Sequence, residues 1–288
     1  MFKKTTICIL ILLLLGCQSN IDSTTTVDKT TVFGLEEPTL TPEIFAPDII
    51  STLETLEFAG TFSPDFTYFF FTRRNAEGIN RLFYTEYINE NWIQPVLSPI
   101  SQDVAEFEPF ITPDGKYLYF GSKRDNHDEF VIYRSEFTDG VWQEPIYLEN
   151  ELNDGFAMYI SVSLNGNIYY TASNGIRVMR YVDEEYLPSE STGIYGAHPY
   201  IAPDESYMLF DNSGGYNLLT SIYISYNVDG EFQSAIKLGE EINNADNIQL
   251  CASVSPDGAY LFFCRVIEDL FDIYWVSADY LNDYQMNN

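Results

Sequence analysis

The stretch Ser255-Pro256-Asp257-Gly258 is followed by the aromatic run Tyr260-Leu261-Phe262-Phe263, and this pairing decides the fold. Proline presets φ at the first central position of a turn, an aspartate side chain bonds back to the backbone, and glycine tolerates positive φ. The short segment Ala252-Ser253-Val254, in which Ala252 and Val254 are apolar, precedes the turn. Two short strands around such a turn predict a β-hairpin.

The same hairpin pattern recurs along the chain. The five turn segments are Ser63-Pro64-Asp65, Thr112-Pro113-Asp114-Gly115, the degenerate Leu164-Asn165-Gly166, Ala202-Pro203-Asp204 and Ser255-Pro256-Asp257-Gly258. Counted from Pro64 through Pro113, Leu164, Pro203 and Pro256, the copies are 49, 51, 39 and 53 residues apart. Propeller repeats have periods of about 40–50 residues.

A third strand follows each hairpin, for example Asp272-Ile273-Tyr274-Trp275, and a fourth follows in several copies. Four short antiparallel strands in a repeated unit form the blade of a β-propeller. The sequence therefore predicts an all-β propeller of four-stranded antiparallel blades, with five blades as the first choice and six as the alternative. The segment from Pro42 to Thr55 is a candidate for a strand that closes the ring.

The turns, together with Asp-Ile-Tyr in the third strand, resemble the PD40 repeat, also called WD40-like, which forms the propeller of TolB-type proteins. The resemblance covers roughly residues 55–282. It implies architecture and leaves function open. A residue that recurs from blade to blade is normally structural, so a structural role is predicted for Pro64, Asp65, Pro113, Asp114, Gly115, Pro203, Asp204, Pro256, Asp257 and Gly258.

The N-terminus carries a separate signal. Lys3 and Lys4 precede an uncharged apolar run over residues 7–15, which has the length of a signal-peptide core and is shorter than the roughly 20 residues that span a bilayer. The following Leu14-Leu15-Gly16-Cys17 resembles the lipobox of bacterial lipoproteins. This resemblance implies a signal peptide at 1–16 and a lipid on Cys17 that attaches the protein to a membrane.

The residues after Cys17 are polar and threonine-rich, so residues 17–32 are predicted to be a lipidated, flexible tether and residues 33–288 the propeller domain. By resemblance to enterobacterial lipoproteins, Gln18 favours the outer membrane of the bacterial cell envelope. A monomer is expected.

The composition limits the partners. The 288 residues carry a formal net charge of −29, and 16% of them are aromatic. Such a surface repels nucleic acid and anionic lipid, and it favours cations or basic partners. No cofactor is predicted, although Ca²⁺ is compatible with the charge and with the acidic loop at 125–129.

No catalytic or metal constellation is predicted. The two histidines, His127 and His198, belong to different repeats, and an imidazole metal site needs two or three ligands together. Two functions remain open. The first is an envelope propeller that binds a protein or a glycan, and the alternative is an envelope carbohydrate hydrolase that uses carboxylates in the propeller funnel.

Cys251 and Cys264 flank the fifth hairpin almost symmetrically. Two cysteines nearly opposite each other on neighbouring strands approach the geometry of a disulfide. A disulfide and a pair of buried free thiols are both open alternatives.

Overall fold

In a computed structural model, the five predicted hairpins form the inner halves of five antiparallel blades. The structure describes residues 29–52, 54–149, 151–212, 219–268 and 270–285. The predicted signal peptide, Cys17, Gln18 and the start of the tether lie outside these residues. None of the helices in these ranges combines the length and the apolar character that a membrane-spanning helix requires.

The strands follow the repeats. A short strand, β1 (Glu43–Ile44), precedes the first blade. Blade 1 contains β2 (Leu56–Phe62), β3 (Tyr68–Arg74), β4 (Asn80–Ile88), β5 (Asn91–Trp92) and β6 (Val96–Leu97). Blade 2 contains β7 (Glu106–Ile111), β8 (Tyr117–Ser122), β9 (Val131–Thr138), β10 (Val141–Trp142) and β11 (Ile146–Tyr147). Blade 3 contains β12 (Ala157–Val162), β13 (Ile168–Ala172), β14 (Gly175–Met179), the hairpin β15 (Tyr181–Val182) and β16 (Glu185–Tyr186), and β17 (Glu190–Ser191).

Blades 4 and 5 continue this order. Blade 4 contains β18 (Ala197–Ile201), β19 (Tyr207–Asn212), β20 (Ser221–Val228), β21 (Glu231–Phe232) and β22 (Ile236–Lys237). Blade 5 contains β23 (Ile248–Val254), β24 (Tyr260–Ile267) and β25 (Leu270–Ser277). Short 3-10 helices occupy Lys29–Gly34, Arg124–Asn126, Glu151–Asn153 and Ala278–Tyr284.

The N-terminal segment closes the ring. Strand β1 pairs antiparallel with β25, with Glu43 opposite Trp275 and Ile44 opposite Tyr274. Blade 5 therefore takes its fourth strand from the start of the domain, as the segment from Pro42 to Thr55 was predicted to provide. The five-bladed prediction is confirmed and the six-bladed alternative is excluded.

The hydrophobic core is divided among the interfaces between blades. Aliphatic and aromatic side chains from neighbouring blades form five clusters. The cluster between blades 5 and 1 also includes the N-terminal segment, where Val32 is 2% exposed and Phe33 stacks on Trp92 with ring centroids 4.4 Å apart. The predicted domain start at residue 33 thus falls inside the helix Lys29–Gly34.

The hairpin turns of blades 1, 2 and 5 share one hydrogen-bond scheme. In blade 1 the Ser63 hydroxyl donates to Asp65 Oδ1 at 2.6 Å, and that oxygen also accepts the Thr67 N–H at 3.0 Å. Blades 2 and 5 repeat the hydroxyl bond, from Thr112 to Asp114 and from Ser255 to Asp257. These carboxylates stabilise their own turns.

Blade 3 has no turn aspartate, and Glu205 from blade 4 takes its place. The Glu205 carboxylate accepts hydrogen bonds from the Ser163 hydroxyl at 2.6 Å, the Asn167 amide at 2.7 Å and the Tyr169 hydroxyl at 2.8 Å. Burial alone raises the pKa of Glu205, but these hydrogen bonds outweigh it and lower the pKa. The degenerate third repeat is therefore completed by its neighbour.

We expect Glu205→Ala to lower the free energy of unfolding by about 2–3 kcal/mol, because three buried donors lose a charged acceptor. The exposed Glu184→Ala serves as control and should change it by less than about 0.5 kcal/mol. Because the folded-state pKa is lowered, the contribution is full above the unfolded-state pKa of about 4.3 and disappears as pH falls through the folded-state value. Urea titrations at pH 7 and pH 3 measure both effects, and an equal loss at the two pH values would contradict the assignment.

Candidate functional site

A funnel lies on the propeller axis, with a cavity of about 190 Å³. The inner strands and hairpin turns of all five blades line it: Gly60 to Pro64 without Ser63, Pro109 to Pro113, Tyr159, Ser161, Leu164, Tyr200, Pro203, Ser253 to Pro256 and Phe262. Proline, aromatic and small hydroxyl side chains dominate. No aspartate or glutamate is among these lining residues, within the described part of the chain.

Each inner strand carries a β-bulge at the same place, where its pairing register with the second strand shifts. One residue in each bulge has a positive φ between 48° and 58°. Each of these residues stands five positions before the proline of its turn, or before Leu164 in blade 3. The five equivalent residues are Ala59, Glu108, Tyr159, His198 and Cys251.

The backbone of these bulges is held by the preceding blade. The Glu108 N–H donates to Thr72 Oγ1 at 2.8 Å, and the His198 N–H donates to Thr171 Oγ1 at 2.8 Å. The Cys251 N–H donates to Asp211 Oδ1 at 3.1 Å. A left-handed conformation is costly for residues with a side chain, and these bonds fix it at Glu108, His198 and Cys251.

The bulge of blade 1 is held in the same way by blade 5, which precedes it in the ring: the Ala59 N–H donates to Cys264 Sγ at 3.3 Å. The equivalent position in blade 2 is Gly121, which has no side chain to offer to the bulge of blade 3. An added Cβ there would lie 3.3 Å from the Phe107 ring.

The bulges bring three ionisable side chains together next to the axis. His198 Nδ1 lies 2.8 Å from Asp211 Oδ1, and His198 Nε2 lies 3.6 Å from Glu108 Oε1. Cys251 Sγ, a ring nitrogen of His198 and a carboxylate oxygen of Glu108 all lie within 4.8 Å of one another. The His198 side chain is 15% exposed and that of Glu108 is 5% exposed.

The charges in this cluster depend on each other. Burial raises the pKa of Glu108, and His198 offsets that rise only in part. Burial acts to lower the pKa of His198, but the carboxylates of Asp211 and Glu108 outweigh it and hold the pKa well above its usual range. Burial and the adjacent Cys264 raise the pKa of the Cys251 thiol, so the uncomplexed cysteine is protonated at neutral pH.

The remaining predicted site residues are distributed over the disk. Cys251 and Cys264 are buried free thiols, which is the second of the two alternatives left open by the sequence. The bulge places Cys264 opposite Leu250 in the register. His127 stacks on Tyr147 in the outer strand of blade 2, with ring centroids 5.2 Å apart, so the two histidines do not meet. In the acidic loop, Asp125 Oδ2 accepts the Tyr133 hydroxyl at 2.5 Å.

Sequence reasoning missed the grouping of Glu108, His198 and Cys251. The signal that could have found it is the repeat alignment itself. Residues at equal distances before the turn of each repeat occupy equivalent places around the ring. Counting five positions back from Pro113, Pro203 and Pro256 gives these three residues.

No protein-family model and no curated protein matches the sequence. Solved structures do match the fold. A TolB-like protein of Agrobacterium tumefaciens is 19% identical, with a TM-score of 0.50 over 76% of this chain and 73% of that chain. A glycosyl hydrolase from Bacteroides ovatus is 9% identical, with a TM-score of 0.53 over 82% of this chain and 93% of that one. A glycoside-hydrolase-like protein of Parabacteroides distasonis is 10% identical, with a TM-score of 0.52 over 88% of this chain and 95% of that chain. At these identities the matches show a shared fold, and the chain is a five-bladed propeller with the TolB-like architecture that its repeats predict.

Proposed function

We propose that this protein is a lipid-anchored propeller of the bacterial cell envelope, favouring the outer membrane, that binds an extended segment of a partner protein in its funnel. The segment has apolar side chains flanked by lysine or arginine. The observation that carries the proposal is an apolar, proline-lined funnel whose rim is surrounded by turn carboxylates.

The funnel wall favours an apolar insert. Pro64, Leu164 and Pro256 are exposed at the turns, and Leu164 has 65% of its surface exposed. Farther along the inner strands, Thr61 and Phe110 are half-buried. Pockets lined by apolar side chains with a few polar groups are typical of ligand sites, and a cavity of about 190 Å³ accommodates one or two side chains rather than a whole domain.

The rim favours basic flanking residues. Asp65, Asp114, Asp204 and Asp257 each follow a proline that lines the funnel. Burial raises the pKa of Asp65, but the hydrogen bonds from Ser63 and Thr67 outweigh it and lower the pKa. Hydrogen bonds from Ser206 likewise lower the pKa of Asp204. The Asp65 and Asp204 carboxylates are therefore ionised at neutral pH. A chain with a net charge of −29 also attracts basic segments over distance.

The alternative function, a carbohydrate hydrolase, requires two carboxylates about 5–9 Å apart around the scissile bond. The lining of the funnel, as far as the structure describes it, supplies none. Glu108 and Asp211 lie deeper and both face His198 from buried positions. Tyr159 and Tyr200 line the funnel but are only 8% and 7% exposed, so they offer little platform for a sugar ring. The funnel therefore favours a peptide.

The binding proposal is tested with Leu164→Lys, which removes an apolar contact at the rim and introduces a charge that repels a basic ligand. The matched control is Val141→Lys in the outer hairpin of blade 2, where the valine is 56% exposed. The probe is an array of peptides with central leucine, phenylalanine or proline flanked by lysine or by glutamate, accompanied by a glycan array.

We expect selective binding of lysine-flanked peptides, weakened by salt, and a loss of at least about tenfold in affinity in Leu164→Lys alone. Binding of glycans without peptides, or equal binding of glutamate-flanked peptides, would rule out the proposed ligand.

The anchoring proposal rests on Lys3, Lys4, the apolar run over 7–15 and Cys17. Because the acidic domain repels anionic lipid, attachment should depend on the lipid alone. We expect Cys17→Ala to move at least about nine-tenths of the protein from the membrane fraction to the soluble fraction of the native host. Cys264→Thr is the control and should stay in the membrane fraction. Retention of Cys17→Ala at the membrane would contradict the anchor.

A further inference from the structure

We propose that Glu108, His198 and Cys251 form a binding site for a thiophilic divalent transition-metal ion, for which Zn²⁺ is the best fit. The three residues lie on the inner strands of blades 2, 4 and 5, so a bound ion connects three of the five blades at the axis. The proposed peptide binding in the funnel does not depend on it.

The ligand set selects the class of ion. A thiolate, an imidazole and a carboxylate together suit Zn²⁺ and its neighbours among the transition metals, whereas Ca²⁺ and Mg²⁺ prefer oxygen ligands only. In a tetrahedral zinc site with bonds of about 2.0–2.3 Å, neighbouring ligand atoms are about 3.3–3.8 Å apart. The distance from His198 Nε2 to Glu108 Oε1 is 3.6 Å, and the three ligand atoms are within 4.8 Å of one another, so small rotations of side chains complete the geometry.

The imidazole is oriented as in known metal sites. A metal-binding histidine usually donates its other ring N–H to a carboxylate, which fixes the ring and the tautomer. Here Asp211 Oδ1 lies 2.8 Å from Nδ1 and leaves Nε2 directed at Glu108. The same Asp211 oxygen accepts the Cys251 N–H at 3.1 Å, so one carboxylate positions two of the proposed ligands.

An independent observation indicates a missing partner. Glu108 Oε2 is buried and accepts no hydrogen bond of normal geometry, although the Tyr159 N–H acts on this carboxyl group. The residue as a whole is 6% exposed. Buried carboxylate oxygens are nearly always hydrogen-bonded or bound to a cation. A metal ion beside His198 and Cys251 supplies the missing contact.

The ring of Tyr159 shields the cluster from the funnel. It packs edge-on to the His198 ring with centroids 5.1 Å apart, and it also lines the funnel. Water therefore has limited access to the ion, which favours a structural role in joining blades 2, 4 and 5.

Two states compete with metal binding at this site. One is a protonated His198 held between carboxylates without metal, and the other is an oxidised Cys251–Cys264 pair.

The test uses the full chain, purified under reducing conditions, freed of metal with a chelator and dialysed against Zn²⁺ or Co²⁺. We expect about one ion per chain by elemental analysis and an increased midpoint of thermal unfolding with Zn²⁺. Co²⁺ should give the thiolate-to-metal absorption and the visible bands of a tetrahedral site. Less than about 0.1 ion per folded chain, or a Co²⁺ spectrum without the thiolate band, would overturn the proposal.

Variants then assign the ligands. Cys251→Ser should abolish the thiolate band, and Glu108→Gln should weaken Co²⁺ binding at least tenfold while retaining the band at saturating Co²⁺. Asp211→Asn, a positioning change, should cost about 10–100-fold in affinity. The controls are His127→Gln and Cys264→Thr, because threonine occupies the place of Cys264 in blades 1 and 3. If Cys251→Ser fails to fold, the Co²⁺ spectrum of the wild-type chain and the Glu108→Gln titration still test the proposed site. A thiolate band that is lost only in Cys264→Thr would refute the assignment of Cys251 as the ligand.

Discussion

Replacing Arg124 with methionine is expected to lower the free energy of unfolding by about 3–5 kcal/mol, because it leaves the Glu106 carboxylate buried without its counter-charge. The Arg124 and Glu106 side chains are 1% and 0% exposed. Arg124 Nε and Nη2 lie 3.0 Å and 2.5 Å from Glu106 Oε1. Nη2 also donates to the Ile100 carbonyl at 2.8 Å. Methionine retains much of the apolar stem of arginine, so the change in the free energy of unfolding reports mainly the removal of the charge.

The guanidinium also lies between aromatic rings. Its carbon is 5.0 Å from the centre of the Phe120 ring and 5.1 Å from that of Tyr133. In this position the guanidinium charge is desolvated. Water could take over its hydrogen bonds to Glu106 only if the blade opened. The ion pair therefore stabilises the native arrangement of blade 2, even though a well-packed apolar pair could be equally stable.

Equilibrium unfolding in urea, monitored by tryptophan fluorescence, measures the change. The control is Asp103→Asn, which removes the partner of Arg81 in an ion pair where Asp103 is 97% exposed, and it should cost less than about 1 kcal/mol. The double variant Glu106→Gln, Arg124→Met should recover part of the loss, since no unpaired charge remains. A single-variant loss below about 1 kcal/mol, or a double variant less stable than Arg124→Met, would show that the pair is not the stabilising element.

The local signals in the sequence predicted the architecture, because a Pro-Asp-Gly turn between apolar strands has few backbone solutions. The segment from Pro42 was identified as a closing strand, but its paired part is only Glu43–Ile44, and both residues are exposed. A strand of two residues is too short to show an alternation of apolar and polar residues. Closure depends instead on where the ring ends, which is a global property of the fold.

Predicting the cluster of Glu108, His198 and Cys251 required a comparison of equivalent positions in different repeats. His198 was considered only together with His127, and Cys251 only together with Cys264, yet the bulges place His198 and Cys251 on equivalent positions beside Glu108. Glu205 shows the same limit, because it completes a turn some 40 residues earlier in the chain, where Ser163 donates to it. Such contacts arise from the packing of one blade on the next, and the local pattern of a single repeat does not encode them.

Phe45→Ala is the second change with a large expected effect, a loss of about 3–5 kcal/mol in the free energy of unfolding. Phe45 is fully buried directly after β1, and its N–H donates to the Ile273 carbonyl at 2.8 Å. Its ring lies against aromatic rings of blades 1 and 5, with centroid distances of 5.4 Å to Phe69, 5.0 Å to Phe262 and 5.2 Å to Trp275. Alanine leaves a cavity at the seam where the first and last blades meet.

Because the seam joins the two ends of the domain, the cavity should also loosen closure of the ring. The matched control is Ile44→Ala, since Ile44 is the neighbouring residue of β1 and is 39% exposed, and it should cost less than about 1 kcal/mol. Urea unfolding gives the stability, and hydrogen exchange should show faster exchange at the Phe45 amide and in β25 than at the seam between blades 2 and 3. If Ile44→Ala destabilised the fold as much as Phe45→Ala, backbone pairing would be the cause, because only Phe45 buries its side chain. If exchange increased equally at every seam, the ring would lose stability as one cooperative unit, and a local role for the β1 closure would be refuted.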